Sequence, residues 1–180
     1  MKAPVLHTER LILKPLSLKY ISEDYVGWLN DPDVNDYLEL EQGHTIEALS
    51  KFLIDVQEKE ILFWAIIIRE KNKHIGNIKI DPIQHKHGLC EYGILIGDKK
   101  EWGKGFAKEA SIAVIDYCFN LLNLRKMTLG VVENNISAVE LYKKLGFITE
   151  GVYTNHRFHN NKYWNTLRMA LFNDNFKHTK

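Results

Sequence analysis

Apolar and polar positions recur with different periods along the chain, and these periods predict strands and helices. Leu11 and Leu13 alternate with Arg10, Ile12 and Lys14, which is typical of a strand with one buried face. Later runs rich in β-branched and aromatic residues predict further strands over 61–69, 74–80, 89–97, 127–132, 147–154 and 163–172. A turn signal near residues 71–73 joins the first two of these later strands into a hairpin.

Helical periods fill most of the remaining chain. Residues 17–40 read as two short helices, because the Asn-Asp-Pro run at 30–32 is a turn signal that interrupts the pattern. Thr45 is a predicted N-cap for a helix whose apolar face is formed by Ile46, Leu49, Phe52, Leu53 and Val56. A longer amphipathic helix is expected with apolar positions at Phe106, Ala110, Ala113, Tyr117 and Leu121. A short helix is expected over 137–145.

The order of these elements predicts the fold class. Helices come first, antiparallel strands follow, and the chain ends as strand, helix, strand, helix and two strands, which indicates an α/β or α+β fold. We expect a central, mixed, largely antiparallel sheet flanked by helices in a single layered sandwich. No repeat, low-complexity tract or linker divides residues 1–180, so one domain is expected.

Composition excludes several classes of partner. Lys and Arg number 24 against 23 Asp and Glu, so there is no basic field to attract a nucleic acid. No apolar run approaches the roughly 20 residues of a membrane span, and the first eight residues lack the apolar region of a secretory signal. Cys90 and Cys118 lie in apolar runs, which favours buried, reduced thiols. A cytoplasmic protein without nucleic-acid or membrane partners is expected.

Two glycines mark a candidate anion site between the strand ending at Gly97 and the long helix. Gly103 and Gly105 precede the helix, where unpaired main-chain amides and the helix dipole attract negative charge. Glycine also allows a diphosphate to approach the main chain, and Lys99, Lys100 and Lys104 add positive charge nearby. On two glycines alone, an ordinary helix entry with a glycine-rich turn is the favoured interpretation. The segment is neither a P-loop nor a Rossmann fingerprint, because the required Gly-Lys-Ser/Thr ending and third glycine are missing.

A second segment, residues 133–147, is bounded by helix signals. Ser137 and Glu140 have the spacing of a capping box, and Gly146 is a natural C′ residue. Tyr142 shares an apolar face with Ala138, Leu141 and Leu145. A tyrosine in this position is more often a packed core residue than a catalyst.

Together the two segments resemble the GCN5-related N-acetyltransferase (GNAT) superfamily. The family signature Gln/Arg-x-x-Gly-x-Gly/Ala corresponds to the segment 100–105, although Lys100 keeps only the charge of the usual residue and not its planar donors. The later signature Asn-x-x-Ala-x-x-Leu-Tyr-x-x-x-Gly-Phe corresponds to the segment 135–147. The opening Thr8-Glu9-Arg10-Leu11-Ile12-Leu13 and the run Trp102-Gly103-Lys104-Gly105 resemble the branch that contains ribosomal-protein alanine N-acetyltransferases.

The resemblance implies acetyl-CoA as co-substrate. Main-chain amides of 103–107 would hold the diphosphate, the backbone of 94–96 would pair with the pantetheine arm, and an asparagine side chain would contact that arm. The implied cofactor-binding residues are Ile94, Leu95, Ile96, Lys100, Trp102, Gly103, Lys104, Gly105, Phe106, Ala107, Asn135 and Ser137.

The resemblance also implies catalytic roles. Tyr142 is the candidate general acid, because a phenol of pKa about 10 can protonate a leaving thiolate whose thiol has a pKa of about 8.5. Glu91 is the candidate general base, on the strand that leads to the glycine segment. The other interpretation of Glu91, a solvent-facing carboxylate on a strand, is the more common one. Glu133 is a weaker rival base, and an acceptor amine of low pKa needs no base.

Residues of the acceptor pocket are suggested by position only. His85, His87 and Cys90 could supply three metal ligands, but no fourth follows, so solvated histidines are expected there and no metal site. Candidate substrate-binding residues, each of which could equally be ordinary surface, are Trp28, Asn30, His87, Tyr153 and Arg157.

Three functions remain open on the sequence. The first is an N-acetyltransferase for a small amine or a nucleotide-linked amino sugar, which the near-neutral charge favours mildly. The second is a protein N-terminal acetyltransferase of the ribosomal type, which the opening motif favours. The third is a catalytically idle sensor that binds acetyl-CoA, against which Tyr142 argues weakly. The protein is expected to be a monomer or a homodimer.

Overall fold

The computed structural model describes residues 2–38, 43–59, 61–159 and 161–176. The strands within this part of the chain are β1 Leu6–His7, β2 Leu11–Pro15, β3 Leu62–Ile68, β4 Lys73–Gln84, β5 Leu89–Ile96, β6 Lys126–Val132, β7 Ile148–His159 and β8 Lys162–Phe172. The α-helices are α1 Glu23–Asn30, α2 Pro32–Asn35, α3 Ile46–Glu58, α4 Phe106–Asp116 and α5 Ile136–Lys144. None of these described helices has the length and apolarity that crossing a bilayer requires.

The strands hydrogen-bond in the order β1-β2-β3-β4-β5-β6-β8-β7. Antiparallel ladders join β1 to β2, β2 to β3, β3 to β4, β6 to β8 and β7 to β8. Strands β5 and β6 run parallel. The predicted mixed, largely antiparallel sheet flanked by helices is therefore confirmed.

Contacts divide the chain into two compact units. The first unit comprises Met1–Asp81 and Gly93–Ala113, and the second comprises Pro82–Tyr92 and Val114–Lys180. The expectation of a single domain stays a prediction.

Each helix of the first unit that follows begins at a side-chain cap, and Thr45 is the cap that the sequence predicts. The side chains of Ser22, Asp31 and Thr45 accept hydrogen bonds from the amides of Tyr25, Asp33 and Ala48, so each satisfies one free donor at a helix start. Helix α3 buries Leu49, Leu53 and Val56, but Phe52 is 47% exposed. Phe52 lies at the edge of the apolar stripe and meets Phe63 edge-on, so its predicted place on the buried face is wrong.

Two glycines of the first unit are required by close packing. A Cβ on Gly97 would collide with the indole ring of Trp28, and a Cβ on Gly76 would collide with the Leu95 carbonyl oxygen. Strands β4 and β5 therefore approach closely at Gly76, and the Trp28 ring lies directly on the main chain of Gly97.

The second unit buries Met127, Leu129 and Met169 of its strands. Cys90 and Cys118 are buried free thiols, as expected. Their hydrogen bond, together with burial, raises the pKa of Cys118.

The long helix changes form after Asp116. Residues Tyr117–Leu121 form a turn of π-helix, and Leu121 is 72% exposed. Because a π turn holds more residues than an α turn, it moves the apolar face out of register. The prediction that Leu121 belongs to the buried face is therefore wrong, and Cys118 takes a buried place instead.

Candidate functional site

The glycine segment of the first unit has a conformation that needs its glycines. Asp98 accepts a hydrogen bond from the Lys100 amide at 3.0 Å and starts a single turn of 3₁₀ helix. Gly103 and Gly105 then adopt the left-handed region, with φ of 74° and 82°, before α4 begins at Phe106. Residues with a Cβ are disfavoured there, so both glycines have a backbone role besides any contact with a ligand.

Main-chain amides are left free at the start of α4. Within the described ranges, the N–H groups of residues 103–105 donate to no other residue. Those of residues 106–108 lie in the first helical turn, where the helix supplies no acceptor. Gly105 carries no side chain that could cap them. These amides lie at the positive end of the helix dipole and are suited to bind a diphosphate.

Two of the three nearby lysines are paired with carboxylates. The Lys104 ammonium contacts buried Glu101 at 2.7 Å, and this hydrogen bond lowers the pKa of Glu101. Lys99 contacts Asp31 at 2.7 Å and Asp33 at 2.8 Å. Lys100 is exposed, and its ammonium pairs with no carboxylate in the part of the chain described here. Lys100 is thus the lysine best placed to meet a ligand phosphate.

A polar cluster that sequence reasoning missed ties the N-terminal strands to the start of α4. The Glu109 carboxylate accepts hydrogen bonds from the Thr8 hydroxyl at 2.6 Å, the Arg10 amide at 2.8 Å and Arg10 Nε at 2.7 Å. Arg10 Nη1 also donates to the Lys104 carbonyl at 3.0 Å. Burial raises the pKa of Glu109, but the bonds from Thr8 and Arg10 outweigh it and leave the pKa below its usual value.

Strand β5 supplies the other predicted cofactor contact. Ile94, Leu95 and Ile96 are half-buried. The exposed Trp102 indole donates from Nε1 to the Ile96 carbonyl at 2.7 Å, which fastens the glycine segment to the end of the strand.

Tyr142 lies in the second unit within a cluster of aromatic rings. Its ring centroid is 5.9 Å from those of Tyr92 and Phe147, and its side chain is 8% exposed. Burial raises the pKa of Tyr142 to about 12. Its hydroxyl hydrogen-bonds to no other residue of the described chain. The phenol therefore stays protonated at neutral pH and can donate to a ligand.

Helix α5 begins two residues earlier than the capping box predicts. Asn135 is the N-cap, and its Oδ1 accepts from the Ala138 amide at 3.2 Å and the Ser137 hydroxyl at 3.1 Å. The predicted Ser137–Glu140 box is wrong, because Ser137 lies inside the first turn and Glu140 pairs with Lys143. The Nδ2 group of Asn135 has no partner among the described residues, so it can donate to a ligand carbonyl.

The C-terminal end of α5 follows its sequence signal. Gly146 has φ of 93°, and the amides of Gly146 and Phe147 close on the carbonyls of Lys143 and Tyr142 at 3.0 Å. This confirms the C′ role of Gly146.

The two candidate bases differ in their partners. Glu91 pairs bidentately with Arg168, at 2.8 Å for each oxygen, and accepts from the Thr128 hydroxyl at 3.1 Å. Glu133 accepts from the amide and Nδ2 of Asn165, at 3.3 and 3.1 Å, and has no cationic partner within the described ranges. Glu91 is charge-neutralised by its partner, whereas Glu133 is held by neutral groups only.

The predicted acceptor residues are divided between the units. In the first unit, the centroids of the Trp28 and His74 rings are 5.0 Å apart. The Asn30 side chain accepts hydrogen bonds from the Gly43 and His44 amides and donates one to the His44 carbonyl. In the second unit, His87 and Tyr153 are exposed and Arg157 is half-buried. The described residues contain no group of three or more His, Cys, Asp or Glu that could hold a metal ion.

Comparison with known proteins identifies the family. The model of the acetyltransferase (GNAT) domain matches residues 10–148. The spermidine N(1)-acetyltransferase of Vibrio cholerae is 30% identical over 150 residues, which are 83% of this chain and 80% of that protein.

Solved structures give the same result. The spermidine N-acetyltransferase from Vibrio cholerae in complex with CoA and spermine has a TM-score of 0.82 and 25% identity, over 94% of this chain and 99% of that one. The ribosomal-protein-S5-alanine acetyltransferase from Vibrio fischeri has a TM-score of 0.79 over 97% of this chain and 100% of that one, and its 19% identity shows the fold alone. This chain belongs to the GNAT family and is an N-acetyltransferase that uses acetyl-CoA.

Proposed function

We propose that this N-acetyltransferase transfers the acetyl group directly to a primary amine of a small cationic molecule, with a polyamine such as spermidine as the first candidate. The observation that carries the proposal is the similarity to a spermidine N(1)-acetyltransferase over most of both chains. The formal net charge of +1 also gives no field for a polyanionic RNA-bound target. A nucleotide-linked amino sugar is the other small acceptor to be tested.

The cofactor is proposed to bind along the glycine segment. The amides of residues 103–108 would accept the diphosphate, and Lys100 would add a full positive charge. Strand residues 94–96 would pair with the pantetheine arm, to which Asn135 Nδ2 would also donate. The free donors at the start of α4 and on Asn135 support this assignment.

The proposed reaction is a direct displacement at the thioester. The neutral amine attacks the carbonyl carbon, a C–N bond forms, and the C–S bond breaks to release the CoA thiolate. Tyr142 donates a hydrogen bond and then a proton to this sulfur, while the ammonium proton leaves to a base or to water. The pKa of Tyr142, about 12, is higher than that of a free thiol. Apolar surroundings raise the pKa of a bound thiol as well, so the difference between the two pKa values is smaller in the site.

Glu133 is proposed to receive the cationic acceptor. Its carboxylate is half-buried and is held by the neutral Asn165, so an incoming ammonium would meet an uncompensated negative charge. Glu91 stays the alternative base. Its use would require release of the bidentate Arg168, since both of its oxygens accept hydrogen bonds.

An acceptor panel tests this function. Release of free CoA thiol from acetyl-CoA is followed with spermidine, spermine, an amino-sugar nucleotide and an alanine-initiated peptide. We expect release with the polyamines at the lowest KM. Release of CoA thiol with the peptide alone would establish a protein N-terminal acetyltransferase. Tight binding of acetyl-CoA without release of thiol with any acceptor would establish a catalytically idle sensor.

The role of Glu133 is tested by Glu133→Gln against Glu140→Gln. Both changes remove one carboxylate charge from the second unit, but Glu140 is exposed on α5 and pairs with Lys143. We expect the first change to raise the KM for the polyamine by about tenfold or more, as for loss of one charged hydrogen bond. Equal KM values for the two variants would exclude Glu133 from acceptor binding.

A further inference from the structure

We propose that Arg10 is a positioning residue for acetyl-CoA: it orients the peptide between Lys104 and Gly105 and neutralises Glu109 at the start of α4. The inference rests on the proposed binding of the diphosphate by residues 103–108. It assigns a purpose to the Thr8–Arg10 turn, which lies outside the glycine segment itself.

The first step concerns the orientation of one amide. Arg10 Nη1 holds the Lys104 carbonyl at 3.0 Å. In a trans peptide the C=O and N–H groups point in opposite directions, so this bond directs the Gly105 N–H away from Arg10. Gly103 and Gly105 on either side both have positive φ, and glycine backbones rotate freely without such an anchor.

The second step concerns charge. Glu109 is the fourth residue of α4, counted from Phe106, so its carboxylate lies at the helix end where the diphosphate would bind. A bare carboxylate there would repel the phosphates. The Arg10 Nε bond of 2.7 Å supplies the compensating positive charge, and Thr8 and the Arg10 amide fill further lone pairs.

The third step is that one guanidinium makes all of these contacts together. Besides Glu109 and the Lys104 carbonyl, it stacks 4.6 Å above the centre of the Phe106 ring, at the first residue of α4. The planar fork of arginine can serve a carboxylate and a carbonyl at once while its central carbon lies over a ring. A lysine would keep the charge and lose the anchor.

The chain offers a matched control in Arg69. Its Nη1 donates to the carbonyls of Thr8 and Glu9, at 3.0 and 3.2 Å, so it stabilises the same N-terminal turn. These bonds go to the turn and not to α4. Arg69→Met therefore removes an arginine of similar structural value without touching the proposed cofactor site.

The test is the affinity for CoA, measured by calorimetry without an acceptor. We expect Arg10→Met to weaken CoA binding roughly tenfold or more, and Arg69→Met to stay within about twofold of wild type. The CoA affinity of Arg10→Lys is expected to lie between those of wild type and Arg10→Met. Phosphate-free S-acetylpantetheine, followed by ligand-observed NMR, is expected to bind all variants alike.

A double-mutant cycle separates charge from geometry. In the Arg10→Met background, Glu109→Gln is expected to recover part of the lost affinity, because it removes the uncompensated charge. CoA affinities that are equal for Arg10→Met and Arg69→Met would overturn the positioning role, as would an equal loss for S-acetylpantetheine. If wild-type protein does not bind CoA, the diphosphate site itself is wrong, and this inference fails with it.

Discussion

At the scale of single residues, burial decides what Tyr142 can do. Packing between Tyr92 and Phe147 removes water from its ring and raises the pKa of its hydroxyl to about 12. The phenolate is disfavoured in such surroundings. From the sequence alone a tyrosine in this position is more often a packed core residue than a catalyst. In the structure Tyr142 is packed and can also donate a proton.

Tyr142→Phe is expected to lower kcat by about 10²- to 10⁴-fold, the usual range for loss of a general acid. The dissociation constant for acetyl-CoA should change little, because the ring and its packing remain. Because burial raises the Tyr142 pKa to about 12, its loss of a proton should not lower activity between about pH 8 and pH 10.

The control for this change is Tyr163→Phe, which removes an exposed hydroxyl from β8. Kinetics are measured with chemistry limiting, by single turnover. Identical single-turnover rates for Tyr142→Phe and wild type would exclude the proton-donor role.

At the scale of elements, helix α5 shows how two cap signals compete. Ser137 with Glu140 matches the capping-box pattern, yet Asn135 lies two residues upstream and its side chain reaches the Ala138 amide. Asparagine is at least as good an N-cap as serine, so the earlier residue starts the helix. The Ser137 hydroxyl then donates to the cap itself.

This arrangement predicts that two alanine substitutions lower the free energy of unfolding by different amounts. Asn135→Ala is expected to lower the free energy of unfolding by about 1 kcal/mol, as for loss of an N-cap, and Ser137→Ala by a few tenths. Urea unfolding of the ligand-free protein measures both. A larger loss for Ser137→Ala would restore the original capping-box interpretation.

Elements with local signals were predictable from the sequence. A helix cap contacts only residues close to it in sequence. The caps Thr45, Asp31 and Gly146 therefore take the places at helix ends and turns that their residue types indicate. Leu121 was not predictable in this way, because the π turn that exposes it breaks the period on which the reasoning depends.

At the scale of the whole molecule, several carboxylates of the first unit have a pKa below the usual range. Burial raises the pKa of each of these carboxylates, but hydrogen bonds and nearby charges outweigh it. The charged partners are lysines, except at Glu109, which is held by Thr8 and Arg10. The carboxylates are Asp31, Asp98, Glu101 and Glu109.

These groups predict a loss of stability in acid. A carboxyl group with a lower pKa in the folded state binds fewer protons than it does unfolded, so its contribution is complete above the unfolded pKa of about 4. The contribution is lost as the pH falls through the folded pKa. The urea midpoint should therefore fall steadily below about pH 4.5.

Glu101→Gln provides the comparison, because Glu101 is 5% exposed and contacts Lys71, Lys73 and Lys104. The variant should be less stable at pH 7 and show a shallower decline in acid. A wild-type urea midpoint that is constant down to pH 3 would contradict the lowered pKa values of these carboxylates.

Ion pairs between residues that are distant in sequence could not be predicted from the sequence. The signatures at 100–105 and 135–147 identified the family and its co-substrate, because each signature is a continuous stretch of sequence. The Arg10–Glu109 and Glu91–Arg168 pairs join residues 99 and 77 positions apart. Nothing in the spacing of the chain indicates which of its 24 Lys and Arg residues meets which carboxylate, since that choice is made by the fold.

The seating of Trp28 on Gly97 has an evolutionary consequence. The indole of Trp28 occupies the space that any side chain at position 97 would need. A substitution at position 97 is therefore expected to require a smaller residue at position 28. A lineage that exchanges the tryptophan for a smaller residue frees the glycine to vary, and one that keeps the tryptophan is bound to keep the glycine. We therefore expect positions 28 and 97, at the approach to the glycine segment, to change together among related proteins.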